Sequence, residues 1–422
     1  MSGSASFATA SGLGDGSVTF RYLLPAPTAP TAPAGACRFV PLSPNRLLDT
    51  RVASDITNGA PVVPASSVDL QVTGRSGVPS TNVSAVVLNV TAAQSTAPGY
   101  VTVWPTGQAR PTASNLNVTV AGQNIANLVT VQLGAGGQVS LYSQSGTDLV
   151  VDVAGYFEPV SVAATAGVYS SLSPTRILDT RMSLGVAGTS PVAADKKIDL
   201  VVTGVGGVPA AGVSAVVLNV TAAEATAAGF VTVWPAGQAM PTASNLNVTF
   251  AGQNIANQVI VPVGSNGSIS LYTQSGTHLV ADVSGWFSDA TRPPSLAGLF
   301  VPLTPTRILD TRVSLGVATT TPVAPNASID LSVLGRGGVP ATGVGAVTMN
   351  VTAAEPTAPG YVTVWPASST RPTVSNLNVT FAGQNIANLA TVGIGAAGST
   401  LMYSQSGTHF VADVAGYYTT GS

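Results

Sequence analysis

The chain has 422 residues, of which only 8% are charged, and a formal net charge of −2. An average soluble domain carries about 25% charged residues, so this surface must rest on hydroxyls, amides and small apolar groups. The balance excludes a nucleic-acid binder, which needs a basic face to displace counterions from phosphates, and no apolar run reaches the roughly 18 residues of a membrane helix.

Residues 1–37 read as an N-terminal arm. Met1–Gly16 is small and polar, with neither the basic start nor the apolar stretch of a secretory leader. Ser17–Leu24 has the composition of one strand, and Pro25–Pro33, with four prolines, that of an extended polyproline-type stalk. Cys37 is the single cysteine, so no disulfide closes within the chain. It is expected to be a free thiol, with pairing between chains as the alternative.

From Arg38 onward the chain repeats. Arg46-Leu47-Leu48-Asp49-Thr50-Arg51 returns as Arg176-Ile177-Leu178-Asp179-Thr180-Arg181 and as Arg307-Ile308-Leu309-Asp310-Thr311-Arg312. Three modules follow, at 38–157, 168–287 and 299–418, each long enough to bury its own core. In the first, short runs rich in Val, Leu, Thr and aromatics predict strands near Val68–Thr73, Ala85–Thr91, Tyr100–Trp104, Leu116–Val120, Leu128–Leu133, Gln138–Ser143 and Leu149–Val153. The Arg46–Arg51 phrase adds an opening strand. About eight short strands without helical periodicity imply an all-β fold of three tandem antiparallel β-sandwiches, with a jelly roll as one candidate topology. The linkers 158–167 and 288–298 can each span about 33 Å. That length permits a string or, the preferred expectation, a compact pseudo-threefold cluster.

The ordered landmarks Leu42–Arg51, Gly77-Val78-Pro79, Leu88-Asn89-Val90-Thr91, Gly99–Pro105, Ser114–Asn117 and Asp152–Phe157 resemble the LDTR-type tandem repeat of extracellular proteins from actinobacteria and related high-GC bacteria. The resemblance implies an outside location and a β-rich fold. It supplies no catalytic residue.

Comparing the modules isolates the shared charged residues. Arg46, Arg51, Asp49 and Asp152 correspond to Arg176, Arg181, Asp179 and Asp282, and to Arg307, Arg312, Asp310 and Asp413. Asp152 lies in Val150-Val151-Asp152-Val153, an apolar strand where a carboxylate needs a partner. A guanidinium fork supplies one, so these groups are expected to be structural ion pairs joining the first and last strands of each module. Asp69, Asp199 and Asp330 are the remaining shared acids.

Strand alternation puts Tyr100 and Trp104 on one face, as it does Phe230 with Trp234 and Tyr361 with Trp365. Those rings are either core or a platform for a sugar. The near-identical segments Thr112–Asn127, Thr242–Asn257 and Thr373–Asn388 place Asn124, Asn254 and Asn385 in a Gly/Asn loop, read as turn chemistry or as a contact with a ligand or partner. His278 and His409 share one position, which is Asp148 in the first module, and no Ser/His/Asp or Cys/His set repeats. No enzyme activity, cofactor or metal is therefore expected.

The expectation is a non-catalytic structural or binding protein displayed outside a cell. A phage virion surface component, either a capsid decoration or a tail fibre, is preferred over a secreted or cell-surface glycan-binding adhesion protein. Its expected partners are other virion or cell-surface proteins, reached through the N-terminal arm, and surface glycans. Neither nucleic acid nor membrane insertion is expected.

Overall fold

The computed structural model describes residues 30–53, 55–367 and 369–421. The strand expected at Ser17–Leu24, and the stalk as far as residue 29, lie outside the described residues.

Module 1 contains eight strands: β1 (Cys37–Asp49), β2 (Ser66–Gln71), β3 (Ala85–Ala93), β4 (Gly99–Pro105), β5 (Leu116–Val118), β6 (Ile125–Gln132), β7 (Gln138–Ser143) and β8 (Asp148–Pro159). They form two four-stranded layers, ordered β1-β8-β3-β6 and β2-β7-β4-β5, with antiparallel pairing throughout. Two Greek keys interleaved in this way make a jelly roll. Modules 2 and 3 repeat both sheet orders strand for strand.

The two layers face different surroundings, and their sequences differ accordingly. β2 alternates exposed and covered residues, as expected of a sheet with one wet face. β3, Ala-Val-Val-Leu-Asn-Val-Thr-Ala-Ala, is buried at all nine positions. One face of β3 packs inside its own sandwich. The other meets the neighbouring modules, which is why the strand reads as a nearly continuous apolar run.

The three inner layers enclose a common axis, and those of modules 1 and 3 join edge to edge where Cys37 pairs with Phe300. Around it lie Phe39 and Phe157 from module 1, Tyr169 and Phe287 from module 2, and Phe300 and Tyr418 from module 3. Their rings close a circle. The within-module distances between ring centroids are 5.1, 5.3 and 4.9 Å. The between-module distances are 4.4 Å for Phe39–Phe287, 4.3 Å for Tyr169–Tyr418 and 4.2 Å for Phe157–Phe300. The within-module spacings lie in the usual range for tilted aromatic pairs, and the between-module ones are slightly tighter. The rings reach the axis because a glycine on β8 lies beneath them: a Cβ on Gly155 would sit 2.4 Å from the Phe39 ring, and Gly285 and Gly416 hold the same place under Tyr169 and Phe300.

The connecting segments gather at one end of this axis. Thr31 bridges Val162, Ala164 bridges Ser295, and Ala36, Ala164, Val168, Leu299 and Val301 form a small apolar plug. The last residues of the expected stalk are therefore no free spacer, because the Ala32 N–H is bonded to the Ser161 carbonyl at 2.9 Å. Cys37 is fully buried beside the axis, and burial pushes its thiol up to about 11. Pairing between chains is thereby corrected to a sealed, unreactive thiol.

Two expectations follow. Small-angle scattering of the chain should give a radius of gyration near 22 Å, the compact value for this length, and not one above about 30 Å. The second concerns Tyr169 and Tyr418, whose phenols burial raises above the ordinary value. Proton retention stabilises the fold fully below the unfolded phenol value near 10, and this stability is lost as pH rises through the folded values. Chemical denaturation from pH 9 upward should show that loss. The double variant Tyr169→Phe/Tyr418→Phe should show less of it, since phenylalanine already occupies the equivalent places at 39, 157, 287 and 300.

Candidate functional site

Each Arg46–Arg51 phrase sits where β1 ends against β8. Arg46 lies directly opposite Asp152 in the ladder, beside a bulge that re-aims the side chain. Its Nε donates to Asp152 Oδ1 at 2.5 Å and its Nη1 to Asp49 Oδ2 at 2.7 Å. Arg51 grips Asp49 with Nε and Nη2 at 2.7 and 2.6 Å. Arg176 reaches both oxygens of Asp282, and Arg307 both oxygens of Asp413, with Nε distances of 2.8 Å. Arg181–Asp179 and Arg312–Asp310 repeat the fork.

The threonine of the phrase completes the clamp. Thr50 Oγ1 bonds Asp148 at 2.8 Å and accepts the Leu149 N–H at 3.0 Å. His278 and His409 pair with Thr180 and Thr311 at the same place, each at 2.8 Å through Nδ1. The shared acid Asp69 takes a bond from Ser140 on the outer sheet, and Asp199 one from Ser270.

The two acids of each clamp are tuned in opposite directions. Burial raises Asp152, Asp282 and Asp413, and the facing arginine only partly offsets it. Burial also works against Asp49, Asp179 and Asp310, but hydrogen bonds and charge from Arg51, Arg181 and Arg312 outweigh it and hold these acids low. The low acids stabilise the fold above the ordinary carboxylate range, and that contribution disappears as pH falls through their folded values. The raised acids act in reverse, giving up stability as pH rises through theirs.

The near-identical segment proves to be the contact between modules. Asn127 Nδ2 donates to Asn350 Oδ1 at 2.7 Å, Asn257 to Asn89 at 2.9 Å, and Asn388 to Asn219 at 2.8 Å. In return Asn127 Oδ1 accepts the Leu389 N–H, Asn257 that of Leu128 and Asn388 that of Gln258. Asn89, Asn219 and Asn350 donate to the carbonyls of Ser244, Ser375 and Ser114. Both sets run once around the axis and close.

Asn124, Asn254 and Asn385 belong to the same belt. Their carbonyls accept Thr249, Thr380 and Thr119 from the adjoining module, while their side-chain oxygens cap Gln94, Glu224 and Glu355. The expected turn is present too, with Gly122 at φ +75°.

The aromatic platform needs correction. Trp104, Trp234 and Trp365 are only 7, 3 and 4% exposed, so they offer no open stacking face. Each indole N–H donates to a carbonyl in the turn that folds over it, Gln108, Gln238 or Ser369. That turn also touches the next module, through Gln108 on Thr304 and Gln238 on Ser43. Tyr100, Phe230 and Tyr361 remain half-buried, and Phe230 lines a cleft between modules 1 and 2. The structure thus brings together Asn124 and Phe230, which sequence reasoning had kept separate, as walls of one cleft. Sequence reasoning missed Met240 and Gln94 there. The available signal was that the other modules carry Arg110 or Arg371, and Glu224 or Glu355, at those places.

No family model matches the chain, and no curated protein does. Among solved structures, "The Triple Jelly Roll Fold and Turret Assembly in an Archaeal Virus" is 10% identical, with 90% of each chain covered and a TM-score of 0.17. "Life in the extremes: atomic structure of Sulfolobus Turreted Icosahedral Virus" is 11% identical, with 92% of each covered and a TM-score of 0.18. Scores this low carry no argument; the jelly-roll assignment rests on strand order.

Asp282→Ala should cost about 3 kcal/mol in urea denaturation, because it strands Arg176, whose side chain is 24% exposed. Arg181→Ala, at a side chain 38% exposed, should cost no more than about 1 kcal/mol.

Proposed function

We propose that this chain is a non-catalytic structural protein of a virion surface, a capsid decoration rather than a tail fibre. The observation that carries the reading is the closed pseudo-threefold body made from one polypeptide. The charged groups of each Arg/Asp clamp are engaged with one another and the shared amides between modules, which is the economy of a scaffold. A single chain with three near-equivalent faces fits a threefold position on a lattice, where closed symmetric contacts are favoured.

Immunogold electron microscopy with antibody against the purified chain tests this. Gold on the shells of intact particles from the source culture is the expected result. Gold confined to the cell envelope would replace this reading with that of a cell-surface adhesion protein.

A further inference from the structure

A cleft opens at one of the three module junctions, and the residues at the three are not alike. This cleft, between modules 1 and 2, has a volume of about 590 Å³, with Arg51, Gln94 and Asn124 on one side and Phe230, Met240 and Asn247 on the other. Where Met240 stands, the other modules have Arg110 and Arg371. Each of these lies over a tyrosine ring of its own module, Tyr142 or Tyr403, at 3.6 Å. Tyr272, the equivalent ring in module 2, sends its hydroxyl to Asp195 at 2.7 Å, as Tyr403 does to Asn326, but has a methionine where those modules have the arginine. Gln94 replaces the acid found as Glu224 and Glu355. This cleft has therefore exchanged a cation and an anion for a thioether and an amide.

The polar groups at its walls keep unused capacity. Asp49 occupies Arg51 Nε and Nη2, which leaves Nη1. Asn124 uses its side-chain oxygen on the Gln94 N–H at 2.9 Å, which leaves its two amide hydrogens. Asn247 receives Ser244 Oγ at 3.4 Å and likewise keeps its amide hydrogens. Thr91 also lines the cleft, and its buried hydroxyl has no partner among the described residues, as is true of Thr221 and Thr352 in the other modules.

We propose that this cleft binds a neutral saccharide of one or two pyranose rings, stacked on Phe230. A pyranose has an apolar C–H face that matches an aromatic ring, and its edge carries hydroxyls that both donate and accept. Side-chain amides answer such an edge because each offers a donor and an acceptor side by side. A mostly apolar cleft with a few convergent polar groups, at a junction between domains, is where small ligands bind. Asp49 already balances Arg51, so the cleft favours a neutral ring over a uronic acid. The inference does not depend on the virion reading, and either can fail alone.

Saturation-transfer NMR on the full chain tests it, with the methyl glycosides of glucose, galactose, N-acetylglucosamine and glucuronic acid at up to about 10 mM, above the millimolar constants of weak ligands. Transfer to at least one neutral glycoside is expected. Phe230→Tyr should retain it. Met240→Arg, which returns a cation to the cleft wall, and Phe230→Ala should each weaken it at least tenfold. Phe230→Tyr and Met240→Arg copy residues that the fold already carries at 100, 361, 110 and 371, so their folding is secured. No transfer to any neutral glycoside, transfer to the glucuronide alone, or transfer unchanged in both Met240→Arg and Phe230→Ala would overturn the proposal.

Discussion

Three buried asparagine amides make this chain one body instead of three beads. Asn127, Asn257 and Asn388 are each at most 1% exposed, and each both donates to an asparagine and accepts a backbone N–H from the same neighbouring module. A carboxamide suits this post because it carries a donor and an acceptor side by side on one short side chain. The cycle leaves no member at an end. Losing one side chain would orphan a donor and an acceptor in the interior, at about 1–3 kcal/mol for each unsatisfied group.

Everything nearer the linkers depends on that closure. The circle of six aromatic rings needs the inner sheets at a fixed separation, and the glycines of β8 allow it by letting rings rest on backbone. On the outer side of the belt, the ion-pair clamps hold the register of β1 against β8. A one-residue slip there would turn the apolar side chains of β1 away from the core. One arginine joins clamp and belt directly, since Arg46 Nη2 bonds the carbonyl of Thr242 in module 2 at 2.7 Å.

The symmetry is also broken at defined points. Gln258 occupies the position of Leu128 and Leu389 and bonds Thr391 through both ends of its amide, at 3.0 and 2.8 Å. That pair exists only where module 2 meets module 3, so it distinguishes this junction from the other two. Met240 and Gln94 do the same between modules 1 and 2, where they leave a cleft. The scaffold positions need three matching partners. A cleft mouth does not, and substitutions there are free to diverge.

Local pattern was enough for the strands and their faces. Ala85–Thr91 and Gln138–Ser143 were legible from β-branched runs bounded by turn residues, and an Asp152 carboxylate within an apolar strand announced a guanidinium partner. The jelly-roll order was not legible, because β1 pairs with β8 more than a hundred residues later and no local signal names that partner. The same limit hid the reason for the near-identity of Thr112–Asn127. Its turn chemistry is local, but the partners of its asparagines lie up to 262 residues away in other modules. Alternation likewise put Trp104 on the face opposite the valines, but could not say that a turn and a neighbouring module cover that face. Periodicity reports which side of a strand is apolar; only the assembled chain decides what each side meets.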